Sequence, residues 1–445
     1  MKFIKVVAAA IALYVLAGNP PAMAQGERSN GHWVGTWATA VMARPQAAPV
    51  QPAPPAPPTQ GSPGLAGRVP PPPPPQPLNF NNQTLRQIVH TSIGGDRVRV
   101  VLSNAFGTLP LVVGAANIAL RQKEAAIVPS SARRLTFGGN PATTIAAGAI
   151  ALSDPVGVAV PAFADIAVDI FLPGDTAASP SPLTMHNGAL QTNYVSTAGN
   201  HSGATDLPVM TTTQSWFFLS RVEVAAPDQV GAVVAFGDSI TDGTLSTPDT
   251  NNRWTDHLAK RLMAQATSAR TLMMGVLNQG IAGNRVLSDF VGPSALARFD
   301  RDVLAQSGVT HVILLAGIND FGLTPAGQTP PSAAEIIAGH RQIIERAHAH
   351  GLKVIGGTML PFEGANLAVA PGYYSPEKDT RRQAFNDWVR TGKAYDGVVD
   401  FDLALRDPSH PSQLRPQYKG VDNLHLNDAG YQAMANAVNL ALLRR

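Results

Sequence analysis

The chain has 445 residues, 44% hydrophobic and 14% charged, with no cysteine and a formal net charge of +3. That length accommodates two domains with cores of ordinary size. The lack of cysteine excludes disulfides and thiolate zinc sites, and the nearly balanced charge offers no basic face for nucleic acid.

Lys2 and Lys5 precede an apolar stretch over 6–17, and Ala22-Met23-Ala24 is a small-residue cleavage site before Gln25. Residues 1–24 therefore read as a secretory signal peptide, too short for a membrane span. Removing this leader, with its two lysines and no acid, lowers the net charge from +3 to +1. No second apolar stretch of spanning length follows. The mature protein is expected outside the cytoplasm, secreted or periplasmic, without a membrane span.

Residues 25–227 read as a β-rich domain. Stretches 84–91 and 97–103 mix β-branched and polar residues, and Gly94-Gly95 between them predicts a hairpin turn. Further strands are expected over 166–172 and 216–224, with no amphipathic helix among them. A jelly-roll-like β-sandwich follows from this pattern. Inside it lies a proline-rich insertion, 45–77, with an unbroken proline run over 70–75. Almost without large apolar residues, it is expected as an exposed polyproline II or disordered loop and receives no function.

After Pro227 strands alternate with helices, as a parallel sheet requires, so 228–445 forms a second domain. A buried strand is expected over 232–236, a helix over 254–265, an apolar stretch over 272–277 and a helix over 295–306. There follow a strand over 311–316, a helix over 332–350, a strand over 353–359 and a helix over 377–391. A last strand over 398–402 and a closing helix over 427–443 complete it. His340, His348 and His350 fall on the 332–350 helix, where solvation and the helix dipole explain them more simply than metal ligation.

Four polar blocks punctuate this second domain. Gly237-Asp238-Ser239-Ile240 follows the first strand, placing a serine where open α/β sheets collect ligands. Asn278 to Asn284 includes Gly283, whose backbone N–H can be approached closely because no side chain intervenes. Gly317-Ile318-Asn319-Asp320 closes a strand and offers the Asn319 amide. Asp422-Asn423-Leu424-His425 supplies a base with a carboxylate three residues before it. Serine needs a base to remove its proton, and the base needs a partner that holds its tautomer. Ser239, His425 and Asp422 meet these needs. The N–H groups of Ser239 and Gly283 and the Asn319 amide make three donors for an oxyanion. Asp238 and Asp242, beside the serine, are expected to serve the turn rather than the chemistry.

These blocks resemble the GDSL, or SGNH, hydrolase family, with Ser239, Gly283, Asn319 and His425 matching the four residues of its name. The resemblance covers about 229–445. It implies a flavodoxin-like three-layer α/β/α domain and ester hydrolysis through Ser239, Asp422 and His425, with no metal and no cofactor. Leu426 departs from the proline often found after the family's histidine. The opening 35–40 and the 84–107 stretch also look like the extra N-terminal domain of some secreted members. The Gly-x-Ser-x-Gly elbow of α/β-hydrolases is absent.

The expected activity is that of a secreted esterase acting on short-acyl, chiefly acetyl, esters. A carbohydrate O-acetylesterase is the narrower alternative, and a lipase or lysophospholipase the broader one. The partner is then a small-molecule or polysaccharide ester, with glycan contact by the β-sandwich as a further expectation. Aromatics over 361–374 suit either a sugar or aryl platform or internal packing. A non-enzymatic reading, a glycan-binding protein with a spent hydrolase domain, is disfavoured by the intact set of five residues.

Overall fold

A computed structural model of the chain describes residues 32–44, 79–269, 273–325, 327–365, 367–368 and 370–444. The expected signal peptide and proline-rich insertion lie outside these described residues.

Up to Ala226 the described strands pair antiparallel. A five-stranded sheet places His32–Ala38, Leu219–Ala226, Gly95–Ser103 and Ile150–Leu152 in order, with Val156–Val160 also on Gly95–Ser103. A seven-stranded sheet centres on Gln83–His90 and Asp165–Leu172. Residues two apart along a strand share a face. Thus Val98, Val100 and Leu102 of one sheet bury in the same core as Leu85, Val89, Ile166, Val168 and Ile170 of the other. This shared core makes the pair a sandwich.

Two expectations about this region fail for one reason. The hairpin at Gly94-Gly95 does not form, because Gln83–His90 belongs to the seven-stranded sheet and Gly95–Ser103 to the five-stranded one. The glycine pair instead carries the chain between sheets, at a crossing so close that a Cβ on Gly94 would stand 2.6 Å from Val160 O. Likewise the strand expected over 216–224 splits into Ser215–Phe217 and Leu219–Ala226. Phe218, at φ 57°, turns the chain from a small three-stranded sheet into the five-stranded one. Local β-propensity says nothing about which sheet a strand joins.

The second part is a parallel sheet. Its strands are β1 (Gly231–Gly237), β2 (Met274–Gly280), β3 (Val309–Leu315), β4 (Lys353–Gly357) and β5 (Gly397–Val399), in spatial order β2-β1-β3-β4-β5. This is the flavodoxin-like order, with its switch point between β1 and β3. The run 232–236 is wholly buried, as a central strand covered on both faces must be. The helices are α1 (Ser239–Asp242), α2 (Trp254–Ala269), α3 (Ala295–Phe299), α4 (Ile318–Gly322), α5 (Ala333–Ala349), α6 (Pro376–Thr391), α7 (Phe401–Leu405) and α8 (Asp428–Ala437). Ser332 and Glu335 form a reciprocal capping box at the start of α5.

The chain's end is shorter in strand and helix than expected. β5 stops at Val399, since Asp400 accepts from Leu403 N and caps α7. α8 stops at Ala437, and a 3-10 turn over Leu440–Leu443 completes the chain's packing. The two parts also meet intimately. Gly35 and Gly275 let their backbones touch, for a Cβ on Gly275 would lie 2.1 Å from Gly35 O. Gly35 N donates to Ser307 O at 3.0 Å, and Val276 N donates to Ser92 Oγ at 3.0 Å.

Candidate active site

Strand register sets the stage. Gly237 at the end of β1 lies opposite Gly280 on β2 and Leu315 on β3. The residues that follow each strand, Ser239, Gly283 and Asn319, therefore emerge at one edge of the sheet. A Cβ on Gly237 would stand 2.3 Å from Leu315 O, and one on Gly280 2.2 Å from Asp242 N. Only glycine permits α1 to turn this tightly over its neighbours.

Ser239 opens α1, so its N–H is one of the donors that a helix leaves unused in its first turn. Asp238 caps this turn by accepting from Ile240 N at 3.1 Å. Burial raises the Asp238 carboxyl to about 7, against the Ile240 bond and the charge of His425, which lower it. Ser239 Oγ lies 2.8 Å from His425 Nε2, and His425 Nδ1 lies 2.6 Å from Asp422 Oδ2. The other oxygen, Oδ1, accepts from Leu424 N at 3.1 Å and His425 N at 2.9 Å. Asn423, at φ 56°, makes the turn tight enough for these bonds. Burial works to raise Asp422, but the bond and charge of His425 outweigh it and hold the carboxyl at about 2. The carboxylate thus remains ionised, with Nδ1–H directed at it and Nε2 free to accept the serine proton.

On the opposite side, Gly283 adopts φ 77°, where a Cβ would press on Val291 Cγ2 at 2.9 Å. Asn319 Nδ2 donates to Asn284 O at 3.0 Å, joining α4 to the Gly283 loop. Asp320 secures the same loop by accepting from Val286 N at 2.8 Å and Leu287 N at 3.0 Å. Burial raises Asp320 to about 6 despite those bonds. All five expected site residues are thereby brought to one edge, with Ser239, His425 and Asp422 in one hydrogen-bonded line. A cleft of about 580 Å³ opens beside α4, lined by Arg285, Phe290, Leu323, Pro325 and Pro371. Arg285 stacks 4.6 Å above the Phe290 ring and donates to Leu323 O at 3.0 Å.

Several supporting residues escaped the sequence. Arg298, fully buried, donates to Gly237 O at 2.7 Å, Gln279 O at 2.8 Å, Asn284 Oδ1 at 3.0 Å and Asp302 at 2.9 Å. It ties the ends of β1 and β2 to the Gly283 loop. Nothing in the sequence distinguishes it from an exposed helical arginine. His186, from the antiparallel part, lies 3.0 Å from Asp242 Oδ1 on α1 and 2.8 Å from Ala40 O. Asp242, expected to bond the turn, is instead held by His186, a partner far away in the sequence. Burial disfavours the His186 cation, yet Asp242 and Ala40 raise its pKa above the ordinary histidine value. His340 contradicts its sequence reading. It is fully buried, bonded to Tyr395 Oη at 2.7 Å and Ala316 O at 3.1 Å, so packing rather than solvation accounts for it.

Residues 235–433 match the model of a family described as GDSL-like Lipase/Acylhydrolase. Among solved structures the chain is similar to a carbohydrate acetylesterase from Sinorhizobium meliloti, at 17% identity over 48% of this chain and 99% of that one (TM-score 0.37). It is also similar to the aryl esterase of M. smegmatis, at 17% identity over 46% of this chain and 95% of that one (TM-score 0.36). A third is a GDSL-like lipase from Bacteroides thetaiotaomicron, at 19% identity over 48% and 88% (TM-score 0.35). No curated protein matches the chain.

Proposed function

With residues 235–433 forming a GDSL-like lipase/acylhydrolase domain, and the chain accordingly a carboxylic ester hydrolase, we propose that it cleaves short-acyl esters by double displacement at Ser239. The observation that carries this is the unbroken line Asp422–His425–Ser239, at 2.6 and 2.8 Å. His425 takes the Ser239 proton as Oγ attacks the ester carbonyl. The N–H groups of Ser239 and Gly283 and the second Asn319 N–H stabilise the oxyanion of the tetrahedral intermediate. Collapse expels the alcohol with a proton from His425, leaving an acyl-serine. Water, deprotonated by His425, then releases the acid and restores Ser239.

Acetyl esters, with a carbohydrate acetyl ester as the narrower case, are the substrates we favour. The leader over 1–24 supports action outside the cytoplasm, and the β-sandwich is the candidate for glycan contact. Three exposed apolar side chains stand on the loops that bear the site: Leu245, Phe290 and Val421. They favour a second reading, an ester with a longer acyl chain.

Nitrophenyl esters from acetyl to long acyl separate the two, measured on residues 25–445 with Ser239→Ala as blank. Rates that fall steeply with acyl length support the short-acyl reading, and rates that climb support the second. Ser239→Ala should also lose covalent labelling by an organophosphonate. Retained labelling would assign the nucleophile elsewhere.

A further inference from the structure

The direction of the Asn319 amide follows from two neighbours of fixed character. Asn284 O can only accept, so the Asn319 atom 3.0 Å from it is Nδ2. Oδ1 then faces the Tyr373 hydroxyl at 2.7 Å, and because a carbonyl oxygen only accepts, the phenol donates. Tyr373 is fully buried, and burial first, then the charges of Asp238, Asp320 and Asp422, raise its pKa well above the ordinary tyrosine value. The phenol is therefore protonated at neutral pH and available as a donor. Of the two N–H bonds on Nδ2, one is held by Asn284 O and the other has no hydrogen-bond partner among the described residues, which leaves it available to an oxyanion.

We propose that Tyr373 is a positioning residue for the acyl transfer, locking the Asn319 amide with its free N–H toward the substrate oxygen. The proposal rests on the reading of Asn319 as an oxyanion donor. The surroundings of the phenol are built for this task. Its ring lies flat against α4, the helix that carries Asn319, so that a Cβ on Gly322 would come within 2.2 Å of Tyr373 Cζ. Phe362 meets the ring edge-on, with centroids 6.0 Å apart. Lys378, buried on α6, donates to Gly372 O at 2.8 Å and to Gly322 O and Thr324 O at 3.1 Å each. One ammonium thus fastens the segment bearing Tyr373 to the end of α4. Phenol and amide move as one body, so Tyr373 is unavailable as a platform for a substrate ring.

A double-mutant cycle tests this with Tyr373→Phe, Asn319→Ala and the combination, on a nitrophenyl acetate substrate. Each kcat is normalised to the fraction of Ser239 labelled by phosphonate, so that misfolded protein does not count. Tyr373→Phe keeps the ring and should lower kcat about tenfold, as loss of one buried hydrogen bond can, with KM within about a factor of two. Asn319→Ala should lower kcat roughly a hundredfold, and adding Tyr373→Phe to it should cost no more. Losses that multiply, or a Tyr373→Phe enzyme as fast as wild type beside an impaired Asn319→Ala, overturn the positioning role alone. An Asn319→Ala enzyme with unchanged kcat overturns the oxyanion reading itself, and the proposal with it.

Discussion

Ser239 and His425 stand 186 positions apart and meet at 2.8 Å, whereas Asp422 reaches His425 within a single turn. In Asp422→Asn the remaining oxygen can go on accepting the Leu424 and His425 N–H groups. The new amide nitrogen then faces Nδ1 and selects the tautomer protonated at Nε2, which cannot accept the serine proton. Turnover should fall by roughly a thousandfold or more while thermal stability changes little. Steady-state kinetics beside a melting curve check this, and a wild-type kcat would remove Asp422 from the chemistry. His340 makes a prediction of a different kind. Burial lowers its pKa to about 4, while the unfolded chain presents a histidine near about 6.5. Between those values the unfolded state binds more protons, so stability rises with pH through this window and its full contribution is present above it. The contribution is on the order of 3 kcal/mol. His340→Gln, which keeps a donor for Ala316 O and an acceptor for Tyr395, should flatten that part of the urea-midpoint profile. An unchanged profile would assign the pH dependence to other groups.

At the level of elements, the site is a set of strand ends held in register. Gly283 sits at φ 77° against Val291. Gly283→Ala must adopt a left-handed backbone at about 1–2 kcal/mol or displace the N–H it should offer. It should lower kcat with little effect on KM, and a KM effect alone would place Gly283 in binding instead. Arg298 performs the bracing that strand pairing does not, since β1 and β2 end at Gly237 and Gly280 and its guanidinium spans the carbonyls there. Arg298→Met leaves Gly237 O with Ile281 N alone, removes the donors to Gln279 O and Asn284 Oδ1, and leaves Asp302 with Arg301 alone, so it should destabilise the protein by roughly 3 kcal/mol. Denaturant unfolding measures this, and a loss below about 1 kcal/mol would make Arg298 an incidental contact.

For the whole molecule, the antiparallel part acts as a wall of the hydrolase domain. The buried His186–Asp242 pair fixes α1 from outside its own domain, and one continuous core runs from Val34 through Leu277 to Leu314. Unfolding should accordingly be a single transition, with intrinsic fluorescence and far-ultraviolet dichroism coincident. Two separated transitions would show that the contact between the parts adds little. His186→Ala leaves the Asp242 carboxylate buried without its partner and should cost about 3 kcal/mol or more. It should also slow phosphonate labelling of Ser239, and His186→Gln, which retains a donor, should recover part of both losses.

The sequence by itself determined the class of the fold and singled out the residues that the proposed chemistry needs. Strand periodicity and glycine placement act over a few residues, so the run 232–236, the turn after Gly237 and the Asp422–His425 pair could be read locally. Legibility ended where partners came from distant segments. Which sheet Gln83–His90 and Gly95–Ser103 would join, and where the chain would turn at Phe218, depended on a core that no window of residues contains. The same holds for Arg298, His186 and Tyr373, whose side chains look ordinary in sequence and take their roles from the carbonyls, carboxylate and amide that folding brings to them. Tertiary structure decided those roles because a hydrogen bond depends on distance and direction in space, and chain separation sets neither.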